Sequence, residues 1–140
     1  NKAVNDLLHS LEHLFDIHAS AHVYCGLDDT KSFTIHDDYP ANFIIQIEGE
    51  TEWTIFKNRI SYLYKTGIMN GKLKESDLEV ETKTVLKPGD VLYIPSRAYH
   101  CAKPKGERIS LSIPCWQKLE TNRPGTSIDR HTYHIRRNNV

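Results

Sequence analysis

The first sixteen residues carry a helical pattern. Val4, Leu7, Leu8, Leu11, Leu14 and Phe15 recur at spacings of three and four, which places them on one stripe of an amphipathic helix. After Ser20 the texture changes to short apolar or alternating runs separated by turn residues. Strands are predicted over 21–25, 32–38, 42–48, 52–57, 79–86, 90–95, 98–102 and 108–114, with 59–65 as a further candidate. The breaks fall at Gly26-Leu27-Asp28-Asp29, Tyr39-Pro40, Glu48-Gly49-Glu50, Lys87-Pro88-Gly89 and Pro104-Lys105-Gly106, all turn-forming chemistry. About eight short strands with such punctuation predict an all-β jelly roll or barrel with a helix at its amino terminus. The organisation expected is a helix packing on the barrel over 1–20, the barrel over 21–116 and a tail over 117–140. Residues 66–77, rich in glycine and charge, read as a surface excursion between strands.

Composition narrows the classes. At 140 residues and 16.2 kDa the chain makes one domain with room for a core that needs no disulfide staples. Eighteen basic residues balance eighteen acidic ones, so no charge excess advertises nucleic acid or a membrane surface. The basic lean of the tail, with Arg123, Arg130, Arg136 and Arg137 against Asp129, reads as a solvated end. Three cysteines without CxxC spacing fit reduced thiols, hence a cytoplasmic protein. No apolar run reaches the roughly 20 residues of a membrane span, and the amino-terminal segment is too charged for a signal peptide. A chain that starts at Asn1 without methionine is expected to be trimmed or partial.

Candidate chemistry centres on His36-Asp37-Asp38. On a strand, alternate side chains share a face, so His36 and Asp38 project together while Asp37 points away. One imidazole and one carboxylate leave a divalent first-row metal short of ligands, and the best further donor is His100, within the run 87–102. Two histidines and a carboxylate on one face of an octahedral ion, with positions left open, is the arrangement of non-haem Fe(II) oxygenases. The competing reading is a satisfied polar cluster in a barrel mouth, or a site that has lost its metal. His9 and His13 share a helix face, but no acidic or cysteine partner joins them.

These blocks resemble a known family. Phe33-Thr-Ile-His36-Asp-Asp38, Phe43-Ile-Ile-Gln46-Ile-Glu-Gly49 and Trp53, followed by Leu86-Lys-Pro-Gly89-Asp-Val-Leu-Tyr-Ile-Pro95 and His100, look like the cupin-type JmjC and factor-inhibiting-HIF-like oxygenases. Arg97 stands where the second cupin motif frequently has glycine. The resemblance covers roughly residues 21–116. It implies a double-stranded β-helix, Fe(II) held by His36, Asp38 and His100, and 2-oxoglutarate as cosubstrate in the hydroxylation of a small molecule or a protein side chain. Family cupin sheets often pair, so a homodimer through the amino-terminal helix or the tail from Leu119 is a further expectation.

One position departs from the family. A lysine or arginine on the strand after the motif usually pairs with the distal carboxylate of 2-oxoglutarate, and the matching residue here is Thr51. A hydroxyl does not replace a charge-assisted pair worth ~1.5–3 kcal/mol. Arg108 and Ser110 are the candidate replacement, because another branch of 2-oxoglutarate oxygenases places an RxS motif beyond the distal histidine, and Arg108, Ser110 and Ser112 share one strand face. Tyr24 and Thr34 are secondary candidates for the same cavity. The rivals are a cupin dioxygenase or isomerase that binds substrate directly on the metal, and a non-catalytic cupin-like module that holds a metal or small ligand.

Overall fold

The computed structural model describes residues 1–27, 32–59 and 73–117, together with the backbone of 133–135. Helix α1 spans Lys2–Phe15. The Asn1 side-chain oxygen accepts the Ala3 backbone N–H at 3.0 Å and caps its start; Asp16, in the left-handed region at φ 53°, ends it. Val4, Leu7, Leu8, Leu11 and Phe15 pack against Ile17, Leu111, Ile113 and Cys115, so the predicted stripe covers a sheet. Leu14 is the exception, 72% exposed, at the edge of that stripe.

Eight strands follow: β1 Ile17–Ala19, β2 His22–Gly26, β3 His36–Asp37, β4 Ala41–Arg59, β5 Val80–Leu86, β6 Val91–Ile94, β7 Ala98–Gln117 and β8 Tyr133–Ile135. Every pairing is antiparallel. β4 and β7 lie side by side from Ala41 opposite Cys115 to Arg59 opposite Ala98. The outer edge of β7 takes β1, β2 and β3; the outer edge of β4 takes β6 and β5, and β8 pairs with β6. Ile44, Leu92 and Ile94 from one half of this sheet join Trp53, Ile55, Leu86, Ala98 and Ala102 from the other in a single buried cluster. The sheet therefore rolls over a shared interior, the double-stranded β-helix expected from the strand count and the resemblance.

Several boundaries differ from the sequence expectation. The segments 48–50 and 104–106 do not end strands; they lie inside β4 and β7, facing one another as register shifts. Ladder hydrogen bonds on both flanks outweigh the local turn chemistry, and the glycines form bulges instead. Gly49 and Gly106 both sit at positive φ, 68° and 75°. Of the stretch 32–38, only His36–Asp37 is strand, and 32–34 has no regular structure. Part of the tail packs back, as β8 against β6. The extra strand expected over 59–65 lies outside the described residues beyond Arg59, as do 66–72 of the surface excursion and the four tail arginines; Glu75–Asp77 forms one 3-10 turn. Cys25 is exposed, Cys101 and Cys115 are buried, and all three are free thiols. No described helix is long and apolar enough to cross a membrane.

The two bulge glycines give a graded test. A β-carbon on Gly49 would sit 1.9 Å from the Glu107 carbonyl oxygen, whereas one on Gly106 would meet nothing within 4 Å. Gly106→Ala is expected to cost only the left-handed strain, about 1–2 kcal/mol. Gly49→Ala should cost clearly more, because backbone must also move. Urea denaturation of both variants measures the difference.

Candidate metal centre

The two-residue strand β3 pairs His36 directly with His100 of β7 and Asp37 with Tyr99. That register brings the imidazole rings to 4.3 Å between centroids, and Asp38 completes the group. Asp38 Oδ1 lies 3.9 Å from His36 Nε2, and its Oδ2 lies 3.6 Å from His100 Nε2. One donor atom from each residue falls within 4.8 Å of the other two. His100 is buried, while His36 and Asp38 are half-buried, so the group opens on one side.

Hydrogen bonds fix what each ring presents. His36 Nδ1 is 2.7 Å from the Thr34 carbonyl, and His100 Nδ1 is 2.8 Å from the Ala98 carbonyl. A carbonyl only accepts, so each Nδ1 carries the proton and each Nε2 turns a lone pair toward the centre. Burial first, and then the neighbouring His36, push the His100 pKa down to about 4 against the opposing pull of Asp38 and the Ala98 carbonyl. The ring is thus neutral at pH 7, the state in which imidazole ligates a metal. Two imidazole nitrogens and a carboxylate, with one side open, fit a divalent first-row ion that keeps positions for further ligands.

The triad opens into a cleft with about 460 Å³ of space, part of it open solvent, lined by both halves of the rolled sheet. Arg108, Ser110 and Tyr24 line it, as the strand faces predicted. Gly26 pairs with Arg108, Tyr24 with Ser110 and His22 with Ser112, so β2 and β7 present these groups together. Arg108 Nε is buried without a hydrogen-bond partner, and the side chain makes no ion pair among the described residues; Glu107 does not neutralise it. Ser110 Oγ donates to Gln46 Oε1 at 3.0 Å, and Gln46 Nε2 donates to the Glu48 carbonyl at 2.8 Å. The Ser110 proton is therefore committed to Gln46, and that glutamine is a satisfied buried group. Burial, followed by the Asp38 charge, raises the Tyr24 pKa, so its phenol stays protonated and can donate.

Thr34 is a correction. Its side chain is exposed and does not line the cleft, because 32–34 is not strand and the alternation that aligned it with His36 fails there. It contributes its carbonyl to His36 instead. Asp37, which the alternation turns away from His36 and Asp38, is 2% exposed and faces Arg97 on the far side of β3. Tyr39 stacks on Trp116 at 6.1 Å and does not line the cleft. Among the lining residues not singled out for the site from the sequence are Asn42, Phe33 and Trp53. Asn42 shares the β4 face of Ile44 and Gln46, and its Oδ1 accepts from Ser112 Oγ at 2.9 Å. Phe33 sits at the rim, edge-on to both His36 and Tyr24. Trp53 lies 6.0 Å from the His100 ring and has a buried Nε1–H without a hydrogen-bond partner among the described residues. A polar residue interrupting an apolar strand was the available signal for Asn42.

The His100 environment has a measurable consequence in metal-free protein. An unfolded imidazole takes its proton near pH 6.5, whereas the folded one does so only near pH 4. The unfolded state binds more protons between those values, so stability should fall as pH is lowered from about 6.5 to about 4. Denaturation midpoints across that range should decline, and His100→Ala should flatten the decline.

The JmjC domain family matches residues 2–122 of this chain. Ribosomal oxygenase 1 of Homo sapiens is 30% identical over 94 residues, covering 66% of this chain and 15% of that protein. The bifunctional lysine-specific demethylase and histidyl-hydroxylase NO66 of Drosophila persimilis is 30% identical over 104 residues, 74% of this chain and 15% of that one. The chain thus spans about a seventh of the length of these relatives. The Escherichia coli ribosomal oxygenase YcfD, solved with cobalt and 2-oxoglutarate, superposes with a TM-score of 0.61 at 20% identity over 86% of this chain and 30% of its own. The hydroquinone 1,2-dioxygenase of Sphingomonas sp. TTNP3 gives 0.55 at 12% identity over 72% and 61%. At these identities the structures speak for the fold, which they share with this rolled sheet. The family match, which runs through both histidines and Asp38, says more: the chain belongs to the JmjC domain family.

Proposed function

We propose that the chain is the catalytic barrel of an Fe(II)- and 2-oxoglutarate-dependent oxygenase that hydroxylates a protein side chain. The observation that carries this reading is one cleft holding a two-histidine, one-carboxylate donor set and an arginine with no ion-pair partner among the described residues. His36 and His100 would bind Fe(II) through Nε2, and Asp38 through a carboxylate oxygen. Iron held in this way supplies the redox chemistry with dioxygen that couples hydroxylation of a C–H bond to conversion of 2-oxoglutarate into succinate and carbon dioxide.

The protein's own residues bind and orient. Arg108 offers a planar fork to the distal carboxylate of the cosubstrate, the role for which Thr51 lacks the charge. The protonated Tyr24 hydroxyl is the adjacent donor, and Trp53, also on the cleft wall, holds a buried Nε1–H with no hydrogen-bond partner among the described residues. Ser110, tied to Gln46, shapes the wall behind Arg108. The names of the relatives, a ribosomal oxygenase and a histidyl-hydroxylase, support a protein side chain as substrate.

Anaerobic addition of 2-oxoglutarate to Fe(II)-loaded protein should raise a metal-to-ligand charge-transfer band. Arg108→Ala should weaken the apparent affinity roughly 10- to 150-fold, the equivalent of ~1.5–3 kcal/mol. Iron binding without the band at any cosubstrate concentration would favour the reading Thr51 invites, a cupin that binds its substrate directly on the metal. His36→Ala and His100→Ala should each abolish both the band and stoichiometric iron binding, as measured by metal analysis after gel filtration.

A further inference from the structure

The residue between His36 and Asp38, the two proposed ligands at β3, is itself held. Asp37 and Arg97 are both fully buried at their side chains, and Arg97 Nε lies 3.0 Å from Asp37 Oδ2. Among the described residues, neither terminal nitrogen of Arg97 has a hydrogen-bond partner, so Asp37 is the carboxylate that balances this buried cation. The Tyr39 ring, 5.8 Å from the guanidinium carbon, is a further electrostatic contact.

Arg97 is also an unusual residue for its backbone. It adopts φ 62°, a conformation glycine takes without strain and a residue with a β-carbon takes at a cost. Such strain persists only where the surroundings hold it, and an observed outlier points toward function rather than the reverse. Here the backbone N–H of Arg97 donates to the Asp38 carbonyl at 2.8 Å. Next to it, Ser96 Oγ donates to the Tyr39 carbonyl at 2.5 Å. Residues 37, 38 and 39 are thus each tied to the turn between β6 and β7, by ion pair, by backbone and by hydroxyl.

β3 needs such ties. It is two residues long, pairs only with β7 among the described residues, and is preceded by residues without regular structure. Its ladder alone gives little hold over two of the three metal ligands, whereas His100 is carried by the twenty-residue β7. We infer that the Asp37–Arg97 pair is a positioning element for the metal centre, clamping β3 so that His36 and Asp38 meet His100 at ligating distance before any ion arrives. The inference rests on the metal-centre reading of the triad. It assigns both residues an indirect role, since neither side chain enters the cleft.

Co(II) titration of metal-free protein, followed by visible absorption, tests this apart from turnover. Arg97→Lys keeps the charge but shortens its reach and loses the planar fork. Asp37→Asn combined with Arg97→Gly removes both charges and relieves the φ strain, so that neither partner is left buried alone. The expected result is Co(II) binding about tenfold weaker or more in both, with an altered ligand-field spectrum, while the thermal midpoint of metal-free Arg97→Lys stays near wild type. Wild-type Co(II) affinity and spectrum in either folded variant overturns the proposal. So does a double variant that fails to fold while Arg97→Lys binds normally, since the pair then serves stability alone. Wild-type protein that binds no Co(II) sinks the metal-centre reading itself, an outcome distinct from normal binding in both wild type and variants.

Discussion

One antiparallel ladder carries the structure: β4 against β7, in register from Ala41 and Cys115 to Arg59 and Ala98. All other described strands except β8 attach to one of these two, and β8 attaches through β6. Because both long strands bulge at the same level, around Gly49 and Gly106, a single ladder serves both halves of the rolled sheet. His100 and Arg108 ride on β7 on either side of that level. Their meeting in one cleft is a consequence of the roll, and a flat sheet with the same pairing would separate them.

The cleft contains two kinds of polar group, and they differ in how they are satisfied. Asn42 with Ser112 and Gln46 with Ser110 close hydrogen bonds across the β4–β7 ladder, which lets polar side chains stay buried beside Ile44 at little cost. Arg108 Nε and Trp53 Nε1 are buried and lack hydrogen-bond partners among the described residues. Unmade hydrogen bonds of this kind cost about 1–3 kcal/mol each, so in a native site they point toward a ligand that completes them. The division matches the proposed roles: closed pairs build the wall, and open donors face the cosubstrate.

The Asp37–Arg97 pair gives a third kind, an ion pair in the fully buried layer behind the His36, Asp38 and His100 triad. Buried pairs are poor sources of net stability, because desolvation offsets the attraction, but breaking one by removing a single partner is costly. A pair of that sort defines one arrangement of the chain sharply without contributing much to its overall free energy. That property suits a short strand that carries His36 and leads directly into Asp38, two of the three proposed ligands.

Much of this was legible in the residues alone. The spacing of Val4, Leu7, Leu8, Leu11 and Phe15 determined the covering helix, and the period-two alternation placed His36 and Asp38 on one face with Asp37 on the other, because both patterns are local consequences of backbone geometry. The same alternation aligned Arg108, Ser110 and Ser112. It failed for Thr34, where the strand is too short for the pattern to apply, and turn chemistry at 48–50 and 104–106 mispredicted strand ends that long-range pairing overrides. The distances within the triad, the commitment of the Ser110 proton to Gln46, and the burial of Arg97 against Asp37 depend on contacts between residues tens of positions apart. Only the tertiary structure decided them, since no local rule states which distant strand a side chain will meet or at what register.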